Sequence, residues 1–260
     1  MYRVKKEESL LSFLKEKTDF SGREIKRALE SGGCHVNGKL ERFASTKLKI
    51  GDTVSFRAPK AYQKQEMEIL YGDPSLTIFN KPSGLVTAPF TGHFLVHRLD
   101  KGTSGALLMA RTQEMKKALE ALFKKREVKK VYIALVSGNV PNDQGTIDNK
   151  LTKKGSFHGQ TIYGSAPHGQ RALTYWKVLM RKEGKTLMEL RPETGRTHQL
   201  RVHMAEMGHP ILGDLQYGRK LVFPKEVDRL CLHSYQIEFE HPKLQKKVVA
   251  NAPLPQLFRI

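Results

Sequence analysis

Apolar residues recur at helical spacing in four parts of the chain. Two short helices are predicted within "LLSFLKEK" and "SGREIKRALESGG", the second with Ser21 as its N-cap and two glycines as its stop. A third helix is predicted over 113–126, where the apolar stripe lies opposite lysines and an arginine. A fourth is predicted near 197–207. The N-terminal part of the chain is therefore expected to contain two of the four helices.

Strand-like patterns fill most of the remaining chain. The Asn37-Gly38 pair inside "CHVNGKL" predicts a hairpin turn, and "KLKIGDTVSF" predicts two strands joined at Gly51-Asp52. Further strands are predicted in "LTIFNKPSGLV", "FLVHRL", "ALLMA", "KKVYIALVSG", "ALTYWKVL", "KTLMELRPETG" and "QKKVVANAPLP". This mixture of elements predicts an α+β fold around a mixed, largely antiparallel sheet with flanking helices.

One segment divides the chain into two regions. Residues 59–67, "PKAYQKQEM", lack apolar periodicity and predict a linker. The expected organisation is a small N-terminal domain over 1–58 and a larger domain over 68–260.

Composition narrows the class of partner. The 260 residues are 39% hydrophobic, which suffices for a core, and carry a formal net charge of +19. Such an excess of positive charge favours a polyanion, and nucleic acid before an anionic membrane surface. The N-terminus is too charged for a signal peptide, and no apolar run approaches the roughly 18 residues needed to span a bilayer. We expect a cytoplasmic protein without a membrane partner.

The two cysteines add little chemistry. Cys34 and Cys231 lie far apart with no paired spacing, which argues against a disulfide framework and against a cysteine zinc site. We expect both to be buried thiols.

Two isolated residues are candidates for chemistry. Asp100 follows His97 and Arg98 in "LVHRLDKGTSGALLMAR", where it is either part of a tight turn or a reactive carboxylate. Tyr132 shares a strand face with Ala134 in "KKVYIALVSG", where it is either a core tyrosine or a site residue.

A third segment, "RPETGRTHQLRVHM", concentrates polar residues at the predicted start of the fourth helix. Two arginines at a helix N-terminus suggest a phosphate or carboxylate partner. His198 and His203 are five apart and share neither a helical nor a strand face, so we predict no metal site. The residues concerned are Arg196, His198, Gln199, Arg201 and His203, which surround Leu200.

The three segments "HRLDKGTSG", "KKVYIALV" and "GRTHQLRVHMAEMGHPILGD" occur in the order seen in RluA-type pseudouridine synthases, which the chain resembles from "LTIFNKPSGLV" to "NAPLP". The resemblance implies the pseudouridine synthase fold with a central cleft, an isomerase activity on RNA, and no cofactor. It assigns Asp100 as the catalytic aspartate, Tyr132 as the residue that stacks on uracil, and Arg201 as the partner of the aspartate.

The same resemblance implies the residues that contact the substrate. Leu200 is expected beneath the base, and Arg98 is expected to help flip the uridine out of the RNA. Arg196, His198 and Gln199 complete the predicted substrate-binding set.

These residue types suit the reaction. Forming pseudouridine breaks the N1 glycosidic bond, turns the uracil, and joins C5 to the ribose. An ionised carboxylate can act at the sugar, and an arginine can hold it ionised and oriented. Extruding the base costs roughly a few kcal/mol, which stacking on an aromatic ring at about 1–3 kcal/mol can partly offset.

The N-terminal region has its own resemblance. "GREIKRALESGGCHVNGK" followed by "KLKIGDTVSF" is similar to S4-type RNA-binding modules. This implies that Arg23, Lys26 and Arg27 face RNA phosphates, although a solvated helix face explains the same charges. An S4-like domain shifts the expected target toward ribosomal RNA rather than transfer RNA, and we expect a monomer acting on structured RNA.

Two departures limit what the resemblance carries over. Only "APFTGHF" separates "KPSGLVT" from "LVHRLD", where many family members have a longer insertion, and Gly102 stands where an acidic residue is common. The choice of target uridine is therefore not implied.

Three alternative activities are weighed against the isomerase. A non-catalytic protein that only binds RNA would have the same positively charged residues. A glycoside hydrolase using Asp100 needs a second carboxylate, for which Glu193 is the candidate. A zinc-dependent base deaminase is disfavoured by the missing cysteine pairs.

Overall fold

The computed structural model describes residues 1–30, 32–57, 67–89, 92–157, 160–218, 223–224 and 227–260, except for the side chains of Arg27, Glu30 and Phe157. It divides the chain into two compact units, Met1–Glu66 and Met67–Ile260. The predicted linker over 59–67 lies outside the described residues except for Met67.

The first unit combines two helices with short strands. Its elements in the described residues are β1 (Tyr2–Arg3), β2 (Glu8–Ser9), α1 (Leu10–Lys17), α2 (Gly22–Glu30), β3 (Cys34–Val36), β4 (Lys39–Leu40), β5 (Lys47–Leu48) and β6 (Thr53–Phe56). The strands form a sheet in the order β1-β6-β3-β4 and a separate β2-β5 pair, all antiparallel. Leucines and Phe13 of the two helices are buried in its core.

Local signals in this unit act as predicted. Ser21 and Glu24 form reciprocal bonds at the start of α2, the Ser21 amide donating to the Glu24 carboxylate at 2.8 Å and the Glu24 amide to Ser21 Oγ at 3.3 Å. Asn37 and Gly38 both have positive φ between β3 and β4, which confirms the hairpin turn. β5 and β6 follow each other in the chain but pair with different strands, so they are not a hairpin.

The second unit contains the larger sheet. Its described elements are β7 (Glu68–Gly72), β8 (Leu76–Lys81), β9 (Phe94–Leu95), β10 (Ser104–Ala110), α3 (Gln113–Lys125), β11 (Lys129–Ser137), β12 (Gln144–Phe157), β13 (Gln160–Ser165), β14 (Gln170–Lys182), β15 (Lys185–Pro192), α4 (Gln199–Glu206), β16 (Leu232–Glu240), β17 (Lys247–Asn251) and a 3-10 helix (Gln256–Phe258).

The sheet order is β13-β12-β14-β15-β11-β16-β10-β8-β7, with β17 beside β16 and β9 beside β10. Within the described chain, β10 and β16 are the parallel pair and the other pairings are antiparallel. α3 packs Met115 and Leu119 into one core cluster, and α4 packs Leu200 and Met204 into another. The prediction of an α+β fold with a largely antiparallel sheet is confirmed.

The parallel pairing of β10 and β16 requires a glycine. Gly105 has φ +105°, and a Cβ there would lie 2.2 Å from the carbonyl oxygen of Ser234. Any side chain at this position would push the two central strands apart. The second glycine of "GTSG", Gly105, therefore allows β10 and β16 to pair at the point where the segment that carries Asp100 enters β10.

Candidate active site

The three sequence segments that stand out for their polar residues converge on one cleft of the second unit. The cleft is open to solvent, spans about 510 Å³ and lies between the loop around residue 100, the start of β11, and the turn that leads into α4. Its lining residues are Arg98, Leu99, Asp100, Thr103, Lys130, Tyr132, Pro192, Thr194, Gly195, Arg196, His198, Gln199, Leu200, Arg201 and Leu232. Every residue predicted for catalysis or substrate binding thus borders the same space.

Asp100 lies in a loop and not at the end of a strand, which corrects the prediction of a strand in "FLVHRL". β9 ends at Leu95, and the chain then leaves the sheet. The Asp100 carbonyl accepts a hydrogen bond from the Thr103 amide at 3.0 Å, which closes a tight turn, and Thr87 Oγ1 bonds both backbone groups of Leu99. The side chain of Asp100 is 21% exposed, so it is sheltered but reachable.

A buried lysine anchors this loop from below. Lys81 is fully buried, and its ammonium group donates to the carbonyl oxygens of Pro82 at 2.9 Å, Leu85 at 2.8 Å and Lys101 at 3.4 Å. Burial lowers its pKa to about 8, while the charge of Asp100 opposes that shift. Sequence reasoning missed Lys81, although a lysine that ends the apolar run "LTIFN" was a signal for it.

His97 connects the loop to β10 and α3. Its Nε2 accepts a hydrogen bond from the Leu108 amide at 2.9 Å, and its ring stacks on Phe123 with centroids 4.9 Å apart. Burial, followed by the charge of Lys130, lowers its pKa to about 3, so the ring is neutral at physiological pH. His97 therefore takes the place of a strand partner for β10 where the chain has left the sheet.

Arg201 is the most constrained charge in the cleft. Its Nε and Nη2 donate to the two oxygens of Asp214 at 2.7 and 2.9 Å, and Nη2 also donates to Gln216 at 2.8 Å. Its Nη1 donates to Asp100 Oδ2 at 3.3 Å. The guanidinium lies over the ring of Tyr217, 5.0 Å from its centroid. Burial acts to lower the pKa of Arg201, but the bonds and charge of Asp214 outweigh it and raise the pKa, so the group stays charged.

His198 lies near the same carboxylate oxygen of Asp100 that Arg201 contacts. Its backbone is left-handed, with φ 57°, immediately before α4 begins at Gln199. Its Nδ1 and the hydroxyl of Tyr217 are 2.9 Å apart, and its Nε2 lies 3.8 Å from Asp100 Oδ2. Burial and then the charge of Arg201 lower the pKa of His198, which favours the neutral ring beside the aspartate.

Tyr132 lines the cleft from β11, where it pairs with Leu190 of β15 and Ser234 of β16. A register shift between Val131 and Tyr132 marks a bulge at this point of the pairing with β16. Burial raises the pKa of Tyr132 to about 12, and the charge of Asp100 acts in the same direction. The phenol is therefore protonated, and it lines the same cleft as the carboxylate.

The remaining predicted residues divide into two groups. Leu200 is buried and gives the cleft an apolar surface, and Arg98 is exposed at its mouth. Gln199 is buried. Its amide oxygen accepts hydrogen bonds from the Thr194 hydroxyl and the Arg196 backbone amide. Its amide nitrogen donates to the Leu173 carbonyl oxygen and to Thr174 Oγ1. Gln199 thus fixes the entry to α4 and has its polar atoms satisfied by the protein.

Arg196 is exposed but also engaged. Its guanidinium donates to the carbonyl oxygen of Arg171 and to Gln170 Oε1, both at 3.0 Å. These contacts attach the turn before α4 to β14. Glu193 is exposed and does not line the cleft.

In the first unit, Arg23 and Lys26 are exposed on α2, whereas the side chain of Arg27 lies outside the described residues. Cys34 and Cys231 are buried and unbridged, which confirms the prediction of buried thiols. In the described part of the chain, no helix is long and apolar enough to cross a membrane.

Comparison with known proteins identifies the family. A family model described as RNA pseudouridylate synthase matches residues 75–206, which include Asp100, Tyr132 and Arg201. The chain belongs to this family. It is 31% identical over 277 residues to the ribosomal large subunit pseudouridine synthase D of Vibrio cholerae, covering 92% of this chain and 85% of that protein. It is also 31% identical to the ribosomal large subunit pseudouridine synthase C of Buchnera aphidicola, covering 90% and 86%.

A solved structure supports the same assignment. The human RNA pseudouridylate synthase domain containing 1 aligns with a TM-score of 0.63 and 27% sequence identity, covering 75% of this chain and 86% of that one. The predicted family, fold and enzyme class are therefore confirmed: the chain is an isomerase that converts uridine to pseudouridine in RNA.

Proposed function

We propose that the cleft isomerises a uridine of ribosomal RNA and that Asp100 is the reacting group. The observation that carries this proposal is the Asp100–Arg201 ion pair in a cleft that Tyr132 also lines. Asp100 is the one carboxylate among the described residues that line the cleft. A single oriented carboxylate is what the rearrangement requires.

The environment of Asp100 suits a carboxylate that acts at the ribose. Asp100 promotes cleavage of the N1 glycosidic bond, the uracil turns without leaving, and its C5 joins C1′ of the ribose. C5 then loses its proton and N1 gains one, so the product is an isomer of the substrate. Because Arg201 is itself held by Asp214, it presents Nη1 to Asp100 in a fixed direction throughout these steps.

Tyr132 and Leu200 supply the surfaces for the base. A protonated phenol presents an uncharged ring on which the uracil stacks, and Leu200 offers apolar contact. Arg98, exposed at the mouth, is positioned to enter the RNA stack when the uridine leaves it.

The structure weighs against a glycoside hydrolase. That chemistry uses two carboxylates facing one glycosidic bond. Glu193, the second candidate, is exposed and outside the cleft lining, so the described lining offers Asp100 no second carboxylate as an acid–base partner.

The choice of ribosomal RNA follows from the relatives. The proteins of Vibrio cholerae and Buchnera aphidicola are named for the large ribosomal subunit, and the chain covers 85% and 86% of their lengths. Transfer RNA remains the alternative target.

We also propose that the first unit is an S4-like RNA-binding domain. Support comes from its compact fold and from Arg23 and Lys26, which are exposed on the same helix. We expect the protein to act as a monomer without a membrane partner, and sedimentation of the protein tests the first of these expectations.

Deletion and complementation test the proposal. Pseudouridines are mapped in ribosomal and transfer RNA from cells that lack the gene, and from such cells that carry the wild-type or the Asp100→Asn gene. We expect one or more ribosomal pseudouridines to disappear and to return only with the wild-type gene. Loss confined to transfer RNA would replace the proposed target, and restoration by Asp100→Asn would refute the role of Asp100.

A further inference from the structure

Lys130 is a cation of the cleft for which the described residues provide no partner. It lines the cleft and is partly buried, yet among the described residues its ammonium group makes neither a hydrogen bond nor an ion pair. Burial lowers its pKa, and the charge of Glu193 offsets part of that effect without direct contact. A partly desolvated charge without a partner costs folding free energy, which points to an anion that arrives with the substrate.

Two other buried cations near Asp100, Arg201 and Lys81, are satisfied within the protein. Arg201 has Asp214 and Asp100, and the ammonium group of Lys81 donates to three carbonyl oxygens. Arg196, although exposed, donates to Arg171 and Gln170. Lys130 is therefore the partly buried lining cation whose bonding capacity remains unused in the described structure.

The position of Lys130 indicates which part of a nucleotide it meets. Lys130 and Tyr132 are two residues apart on β11, about 6.6 Å at the usual strand rise. The strand is exposed at Lys129 and buried from Ile133 to Val136, so Lys130 lies nearer the mouth than Tyr132. A uracil on Tyr132 puts the uncharged end of the nucleotide inside and its phosphates toward the mouth.

We propose that Lys130 binds a backbone phosphate adjacent to the target uridine and so fixes how deeply the nucleotide enters the cleft. This inference rests on the proposed function, because it requires a uridine whose base reaches Tyr132. An ammonium group is a compact point charge that binds phosphate without demanding a planar, two-pronged geometry. Contact with a uracil oxygen is the competing assignment.

The neighbouring residue provides a matched control. Lys129 has the same side chain on the same strand, but it does not line the cleft and is 77% exposed. It pairs with Glu238 at 3.4 Å, and Glu238 keeps a second partner, Lys247, at 2.9 Å. Lys129→Gln and Lys130→Gln therefore remove the same charge from the protein, one outside the cleft and one inside it.

The assay uses an unmodified transcript of large-subunit ribosomal RNA labelled with tritium at C5 of uridine. Tritium release is followed with enzyme in excess, which gives a maximal rate and a half-saturating enzyme concentration. Both are measured across a series of KCl concentrations for the wild type, Lys129→Gln, Lys130→Gln and Lys130→Arg.

Lys130→Gln should raise the half-saturating concentration about 10-fold, the loss expected for one charge-assisted hydrogen bond. Its log–log salt slope should be shallower by about 0.7, the value for one phosphate contact on single-stranded RNA. Lys129→Gln should behave like the wild type, and Lys130→Arg should restore the slope. The melting temperature of Lys130→Gln should not fall, because no protein contact is lost.

Four results would overturn the inference. A lower maximal rate with an unchanged salt slope would assign Lys130 to the uracil. Equal behaviour of Lys129→Gln and Lys130→Gln would show that only overall charge matters. A lower melting temperature that Lys130→Arg does not correct would make the residue structural. If the wild type is active and Lys130→Gln has the same half-saturating concentration and salt slope, Lys130 has no role in binding, while the proposed function stands. An inactive wild type would refute the proposed function itself.

Discussion

Replacing Asp214 with asparagine is expected to destabilise the second unit far more than the same replacement at Asp100. Both carboxylates bond Arg201, but the Asp214 side chain is fully buried and accepts from Nε and Nη2 at 2.7 and 2.9 Å. Asp100 is 21% exposed and accepts one bond at 3.3 Å. Removing one partner of a buried pair costs about 3–5 kcal/mol, whereas loss of a partly solvated contact costs about 0–1 kcal/mol.

Asparagine at position 214 can retain some of the contacts of Asp214, so the substitution mainly tests the bond to Arg201. One oxygen of Asp214 also accepts the backbone amides of Gln216 and Tyr217, at 3.0 and 3.1 Å, and an asparagine oxygen can keep these bonds. Its amide nitrogen then faces the donor Nε of Arg201. The predicted loss therefore comes from two opposed donors and from a buried charge whose remaining anionic partner is Asp100, at 3.3 Å.

Urea unfolding provides the measurement. Trp176 is the single tryptophan of the chain and is buried in the core of the second unit, so its fluorescence reports on the unit that contains the cleft. We expect Asp214→Asn to lower the free energy of unfolding by about 3–5 kcal/mol and Asp100→Asn by less than about 1 kcal/mol. Combining Arg201→Met with Asp214→Asn should recover part of the loss, because neither charge is then buried alone. Equal stability of the two asparagine variants would refute the prediction that Asp214 stabilises the second unit more than Asp100 does.

Three further predictions concern the base platform, the core histidines and the first unit. If the Tyr132 hydroxyl assists removal of the C5 proton, Tyr132→Phe should keep RNA affinity but slow single-turnover isomerisation. Tyr132→Leu should lose the stacking of the base on the ring. Normal turnover by a folded Tyr132→Leu variant would exclude Tyr132 from the site. Burial lowers the pKa of His97 to about 3 and of His203 and His233 to about 4, below the value of about 6.5 in the unfolded chain. Their contribution to stability is therefore complete above pH 6.5 and declines as the pH falls, by about 1.4 kcal/mol per unit for each histidine, and His203→Gln should flatten that decline in pH-dependent urea titrations. A chain that begins at Met67 should bind RNA more weakly with a salt slope shallower by about 0.7 for each lost single-strand phosphate contact, and an unchanged slope would show that the first unit does not engage phosphates.

Local sequence signals were sufficient for much of the fold. Ser21 and Glu24 begin α2 as a capping pattern predicts, and Thr112 caps α3 by accepting from the Met115 amide at 3.1 Å. These features depend on residues three apart in the chain, which a sequence pattern can reveal. The order of the three site segments likewise sufficed to place Asp100, Tyr132 and Arg201 in one cleft.

The misjudged strand has a long-range cause. An apolar run in "FLVHRL" suggests a continuous strand, but β9 pairs with β10 only at Met109 and Ala110. β16 pairs in parallel with Ser104 and Gly105 of the same strand, and β8 occupies its other edge. The chain must therefore leave the sheet before residue 100, and this competition between distant strands has no local signature.

The residues that hold Arg201 and the Asp100 loop in place could also not be predicted from sequence patterns. Asp214 and Gln216 lie 13 and 15 residues beyond Arg201 in a segment without regular structure, and Lys81 reaches the carbonyl of Lys101 across 20 residues. Their side chains acquire a role only when the tertiary fold brings buried charges and carbonyl groups together. Burial and hydrogen-bond partners are properties of the folded chain.

Single-turnover release of tritium from ribosomal RNA labelled at C5 of uridine tests the central claim most directly, when the wild type is compared with Asp100→Asn. We predict that the wild type releases tritium and forms pseudouridine, and that Asp100→Asn does neither while its RNA affinity stays within a few-fold of the wild-type value. Tritium release by Asp100→Asn at a rate near that of the wild type would contradict the assignment of Asp100 as the reacting group.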